Sequence, residues 1–228
     1  MLNMKQHLNR PLTGRQTAVA ILFIVVMAGL GYLTYNFITA SILEAKVRSA
    51  MPKVSAAIRN QRRELLSAIE AYKAYFGVYP PDHVLSKQPL VVDPVTNTLL
   101  YELVGTIYNP TNKMFQLGGL EAADAKYVKV FFQCDSFKNC GERPDQIKRF
   151  LTTTPLPARQ LHDDPDVFAV GFQVVDEGTA PEVVWEFEMS SWRYVSSSPT
   201  NNPGKFDLWI DVKTKSQTVT IGNWKAVD

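Results

Sequence analysis

Cysteine and histidine are scarce in this chain, two and three respectively among 228 residues. The histidines, His7, His83 and His162, are scattered. Cys134 and Cys140 would need two further ligands to close a structural metal centre, and only His162 is near them in sequence. There is no G-x-S-x-G, H-E-x-x-H, P-loop or C-x-x-C. The spacings that would present a nucleophile, a zinc pair, a phosphate cradle or a redox dithiol are therefore missing. His162-Asp163-Asp164 is the nearest approach to an acid–base cluster, but a proline-flanked polar loop carries such residues by default. Enzymatic function is unsupported, and no cofactor is expected. Excess charge of one sign is also lacking. A net charge of +2 excludes a strongly basic nucleic-acid binder and an acidic solvating tail. Basic residues are not interleaved with aromatics as a nucleic-acid surface would require. Trp185, Trp192, Trp209 and Trp224 read as core and strand residues, and neither an internal repeat nor a heptad run is present.

What the chain does have is distributed unevenly. Residues 1–80 hold 10 Lys/Arg against 3 Asp/Glu, and residues 81–228 hold 14 against 19. A basic, apolar front thus precedes a mildly acidic remainder. From Gln16 to Leu43 there are 28 residues without a charge, and about 20 apolar residues suffice to cross a bilayer core as a helix. A cleaved signal peptide shares the basic leader of Lys5, Arg10 and Arg15, but its apolar region is only about 7–15 residues and ends in a small-x-small site. The expectation is a retained transmembrane helix over 16–43, preceded by a basic leader over 1–15. Orientation does not follow from charge, because Lys46, Arg48, Lys53, Arg59, Arg62 and Arg63 lie just beyond the span.

Over 44–79 the spacing predicts an amphipathic helix continuing the span, with Pro52 as a kink. Val54, Ala57, Ile58, Gln61, Leu65, Ala68, Ile69, Tyr72 and Phe76 recur at helical steps, with Gln61 the single polar break. No Gly or Pro interrupts 53–76; Gly77 and Pro80-Pro81 then stop the helix. Residues 80–228 read as a small domain. Strands are expected over Val167–Val175, Val183–Met189, Phe206–Val212 and Gln217–Trp224, the last two joined by a Lys213–Ser216 turn. Tyr127–Phe132 suits strand or helix, and Gly141–Asp166 and Ser196–Gly204 read as loops. The fold class is α+β: one long helix packed on a small antiparallel sheet. A disulfide between Cys134 and Cys140 suits an oxidising compartment, and two free thiols suit a reducing one.

The order of these parts resembles the type IV pilin-like proteins, and within them the major, G-type pseudopilins of type II secretion systems. Three stretches carry the resemblance. Glu64–Pro81 is similar to the family's helix end, where Tyr72-Lys73 precedes Phe76-Gly77-Val78-Tyr79-Pro80. Pro94–Gly105 resembles the following segment, and Trp192–Trp209 with Ile221-Gly222-Asn223-Trp224 resembles the closing strands. The resemblance implies a pilin-like fold in a single-pass protein of the bacterial inner membrane with a periplasmic domain. It implies a non-enzymatic part in protein export. The implied partners are the lipid bilayer, other pseudopilin-like subunits and the secretion machinery, in a homo-oligomer or filament and without nucleic acid. Prepilin processing in the family cuts after a Gly, leaves a Phe, and finds a Glu five residues in. Here Gly14 is followed by Arg15, and the fifth position is Val19. That departure fits an uncleaved chain or a different place in the filament, such as its tip. It also favours an alternative: a single-pass, membrane-anchored periplasmic adaptor or binding module that does not polymerise. The acid-rich calcium loop of the family is replaced by Lys213-Thr214-Lys215-Ser216-Gln217, with only Asp207 and Asp211 nearby, and no metal ligands are carried over.

Overall fold

In the computed structural model, residues 14–118, 120–152, 158–162, 167–171, 188–189, 191–213 and 218–224 are described. The chain divides into two compact units, Met1–Ser49 and Ala50–Asp228. Helix α1, Gly14–Phe76, contributes its first part to one unit and its last part to the other. In the first unit the segment Thr17–Thr39 is long and apolar enough to cross a membrane. Its large side chains are bare, with Phe23, Leu33 and Phe37 between 64% and 75% exposed. The helix assignment continues through Pro52, which sits inside α1.

In the second unit the stripe turns inward. Val54, Ile58, Leu65, Ala68, Ile69 and Tyr72 are buried, and Ala57, Gln61 and Phe76 are half-buried. Burying a Leu- or Ile-sized side chain contributes about 1.5–3 kcal/mol. A handful of these outweighs propensity differences of about a few tenths per residue, so packing is what holds this half helical. The helix ends at Gly77, whose φ of +77° is a left-handed setting that glycine adopts without strain. Its N–H closes on the Lys73 carbonyl at 2.8 Å.

The elements after α1 are more numerous than the sequence pattern suggests. Strands β1 (His83–Lys87) and β2 (Leu90–Asp93) form an antiparallel ribbon. Helix α2 (Leu99–Val104) is buried along its whole length. Strands β3 (Thr106–Asn109), β4 (Met114–Leu117) and β5 (Leu120–Asp124) make a meander, followed by helix α3 (Ala125–Phe132). Tyr127–Phe132, ambiguous by pattern, is thus helical. Asp124 caps α3, accepting from the Lys126 N–H at 2.9 Å. Strand β6 (Cys140–Gly141) runs parallel to β3, and a short 3-10 turn covers Pro144–Gln146.

The stretch Gly141–Asp166, read from its prolines as loop, contains a strand. Strand β7 (Ala158–His162) pairs antiparallel with β8 (Val167–Val170), because β-pairing with its neighbour overrides local composition. Strands β9 (Glu188–Met189) and β10 (Arg193–Val195) both pair with β11 (Asp207–Lys213), whose hairpin partner is β12 (Thr218–Gly222). The expected strands over 167–175 and 183–189 are observed at 167–170 and 188–189; Gly171 is outside the strand, and 172–175 and 183–187 lie outside the described residues, as does most of the Lys213–Ser216 turn. Ser196–Gly204 is a loop, as expected. The architecture is α+β, with several small, separate sheets in place of the single one anticipated.

Gln61, the one polar position in the stripe, is bonded at both ends of its amide. It accepts from the Trp192 indole N–H at 3.0 Å and donates to the Gly171 carbonyl at 2.9 Å. Next to it, Arg62 donates to the Gly222 carbonyl at 2.6 Å. If Gln61 were merely a flaw in an apolar face, Gln61→Leu would stabilise the unit. The hydrogen bonds require the opposite, a loss of about 1–3 kcal/mol from the stranded Trp192 donor and Gly171 acceptor. Urea unfolding of the detergent-solubilised full chain followed by Trp fluorescence decides between the two signs.

Candidate functional site

The end of α1 is where distant parts of the second unit are joined. The Pro80 carbonyl accepts from the Tyr194 hydroxyl and the Ser196 hydroxyl, each at 2.9 Å. Thr98 donates to the Pro81 carbonyl at 2.6 Å, and Asn97 donates to the Trp192 carbonyl at 3.0 Å. The Tyr194 N–H meets the Pro94 carbonyl at 3.1 Å. The three stretches Glu64–Pro81, Pro94–Gly105 and Trp192–Trp209 are therefore bonded directly to one another. Proline carbonyls at a helix stop have no intrahelical donor, so side-chain hydroxyls supply one.

Four carboxylates organise the loops around this junction. Asp82 accepts from the N–H groups of Ser196 and Ser197 and from the Ser197 hydroxyl, all at 2.8 Å. Buried Asp207 gathers the N–H groups of Thr200, Asn201 and Asn202 and two asparagine side-chain amides, between 2.8 and 3.2 Å. Asp211 pairs with Arg193 and accepts from Thr220 at 2.7 Å. Asp207 and Asp211, the acids nearest the family's calcium loop, are thus engaged by protein donors. Asn223 ties the terminal strand in, accepting from the Leu208 N–H at 3.0 Å and donating to the Phe206 carbonyl at 2.9 Å. Beside it Gly222 is required by close approach: a Cβ there would lie 2.8 Å from the Trp224 ring.

Glu102 is the most constrained of the four. It is the one acid in the apolar helix α2 and is only 1% exposed. Its carboxyl accepts from the Tyr72 hydroxyl at 2.8 Å, the Lys138 N–H at 2.7 Å and the Asn139 N–H at 2.9 Å. Asn139 continues the network to the Glu102 carbonyl at 2.7 Å and to Lys148, accepting from its N–H at 2.9 Å. Burial lifts the Glu102 carboxyl above the usual range, and the three donors pull it only part of the way back. Burial and the adjacent Glu102 push the Tyr72 phenol far up, so it stays a donor at every physiological pH.

The segment that donates to Glu102 is bracketed by Cys134 and Cys140, both free thiols and both half-buried. Burial, Glu102 and Asp135 push the Cys134 thiol up to about 11. Cys140 lines a surface cleft of about 720 Å³ with Tyr108, Phe115, Asp135, Glu142 and Gln146. Among the described residues no cluster of His, Cys, Asp or Glu could hold a metal ion. Gly14 and Arg15, the processing position of the family pattern, lie at the start of α1. His83 is buried in β1, His162 lies in β7, and His7, Asp163 and Asp164 lie outside the described residues. Sequence reading did not anticipate Glu102, although one acid within Leu99–Val104 was the available signal. No protein-family model matches the chain, and neither does any curated protein or solved structure.

A carboxyl raised in the folded state binds protons that the unfolded chain, titrating near 4.5, has already released. Its contribution to stability therefore grows as the pH falls from neutrality toward 4.5 and fades as the pH rises through its folded value. Glu102→Gln removes that titration and also turns an amide N–H₂ toward one of three donors, costing about 1–3 kcal/mol at neutral pH. The gap between wild type and variant should widen on acidification in urea-denaturation series across this range. Parallel pH curves would show that Glu102 does not titrate as its burial requires.

Proposed function

We propose that this chain is a membrane-anchored, non-enzymatic, pseudopilin-like subunit of a type II secretion (pilus-like) assembly, with its α+β unit in the periplasm. The observation that carries the reading is the division of labour along α1. Residues 17–39 are apolar and bare, whereas the Val54–Tyr72 stripe is buried against the rest of its own unit. A bare apolar helix needs lipid or other helices around it. The three stretches that resemble pseudopilins support the reading further, because they form one bonded junction and not three unrelated likenesses. In this role the protein turns over no substrate. The helix holds the subunit in the inner membrane until neighbours take it up, and the α+β unit offers its loops to partner subunits.

Arg15 and Val19 at the processing position favour one second reading, a fixed single-pass anchor carrying a periplasmic binding module that does not polymerise. A Glu buried among apolar helices without a partner would be costly, and a chain without that Glu escapes both the cost and the pairing it serves.

Intact mass of the protein extracted from inner membranes separates the two. A chain beginning at Arg15 is expected for a processed subunit, and one beginning at Met1 for the fixed anchor. A reporter active only in the periplasm, fused after Asp228, should be active in either case. A silent but well-expressed fusion would overturn the outward topology.

A further inference from the structure

The segment Cys134–Cys140 is built as a clasp on Glu102. It begins where Gln133, in a left-handed setting with φ of 51°, turns the chain out of α3. It ends in β6, where the Asn139 carbonyl accepts from the Thr106 N–H at 3.0 Å. Between the two cysteines, Phe137 lies stacked on Tyr101 at 4.5 Å and packs edge-on against Phe115 and Phe132. Lys138 and Asn139 then present their N–H groups to the buried carboxyl. Both ends of the segment reach the same cleft, Asp135 and Ser136 from one side and Cys140 and Gly141 from the other.

We propose that Cys134 and Cys140 form a reversible disulfide that locks this clasp, with Cys140 as the attacking thiol and Cys134 as the resolving one. The asymmetry follows from position. Cys140 faces the cleft, where an oxidant can reach it. Cys134 does not line the cleft, and the negative charges of Glu102 and Asp135 beside it oppose a second thiolate. The oxidant is of the dithiol–disulfide class. Cys140 gives up its proton to solvent and attacks one donor sulfur, forming a mixed disulfide and releasing the other donor sulfur as a thiolate. That thiolate takes the proton of Cys134, whose sulfur attacks the Cys140 sulfur and displaces the second donor thiolate. Two protein thiols are oxidised, and one donor disulfide is reduced to two thiols. Cross-linking a loop with only five residues between its cysteines restricts the unfolded chain and keeps the Lys138 and Asn139 donors beside Glu102. The inference does not depend on the secretion reading, since the chemistry is tested on the isolated protein.

The test uses the reduced full chain in detergent, treated with oxidised glutathione and followed by intact mass after acid quench and alkylation. Wild type should lose both titratable thiols and end lighter by two hydrogen atoms, with no glutathione retained. Cys134→Ser should accumulate a glutathione adduct at Cys140, and Cys140→Ser should be modified roughly tenfold more slowly or less, given its poorly ionising thiol. The oxidised wild type should unfold at a higher urea concentration than the reduced form, and dithiothreitol should abolish the gain. A stable adduct or two free thiols in wild type would overturn the disulfide. Equal rates in the two serine variants would overturn the order of attack. An unchanged urea midpoint would overturn the clasp, and both wild-type measurements stand even where a variant fails to fold.

Discussion

The buried carboxyl of Glu102 is the constraint on which the rest of the α+β unit depends. An acid on an apolar helix is costly to seal from water unless both its oxygens find donors. Here three donors come from two places far apart in sequence: the Tyr72 hydroxyl of α1 and the adjacent backbone N–H groups of Lys138 and Asn139. Satisfying one carboxyl therefore brings the last turns of α1, the buried α2 and the segment after α3 to one point. Asn139 extends the requirement to Lys148, and Tyr72 extends it to Phe76 and Phe150 through ring contacts at 4.5 and 5.3 Å. An apolar replacement would remove the cost of burial and, with it, the reason for these elements to meet in one arrangement.

The other acids work in the same manner at lower stakes. Asp82 and Asp207 each gather runs of backbone N–H groups from the Ser196–Asn202 region. These carboxylates face the chain itself and accept from its own backbone. The result is a rigid junction at the helix stop, with loops whose backbone is held from within.

Much of this was legible in the sequence, and the exceptions have physical causes. The apolar run before Leu43 and the periodic stripe from Val54 to Phe76 are strong signals because helix periodicity is local. Gly77 and Pro80-Pro81 marked the helix stop for the same reason. β7 was hidden in a proline-rich stretch, because its partner β8 and not its own composition makes it a strand. β1 to β5 are short and pair through tertiary context, which no single-strand pattern reports. Gln61 looked like a flaw because its partners, Trp192 and Gly171, are more than a hundred residues away. Glu102 was visible as an anomaly, but what it binds could be learned only once α1, α2 and the Cys134–Cys140 segment were brought together.

The bonds from α1 to the rest of its unit have a mechanical consequence. Gln61 is tied to Trp192, Arg62 to the Gly222 carbonyl and Tyr72 to Glu102, over the twelve residues Gln61–Tyr72, about 16 Å of helix. A pull along the helix axis meets these ties side by side, in shear, so they share the load. A pull across the axis would meet them in succession and peel them one by one. Slippage by a single turn breaks all three at once, leaving Glu102 short of one donor and stranding an indole donor and a guanidinium. Within its own unit the last part of α1 is thus held as a handle is held to a tool, stiffest along its own axis.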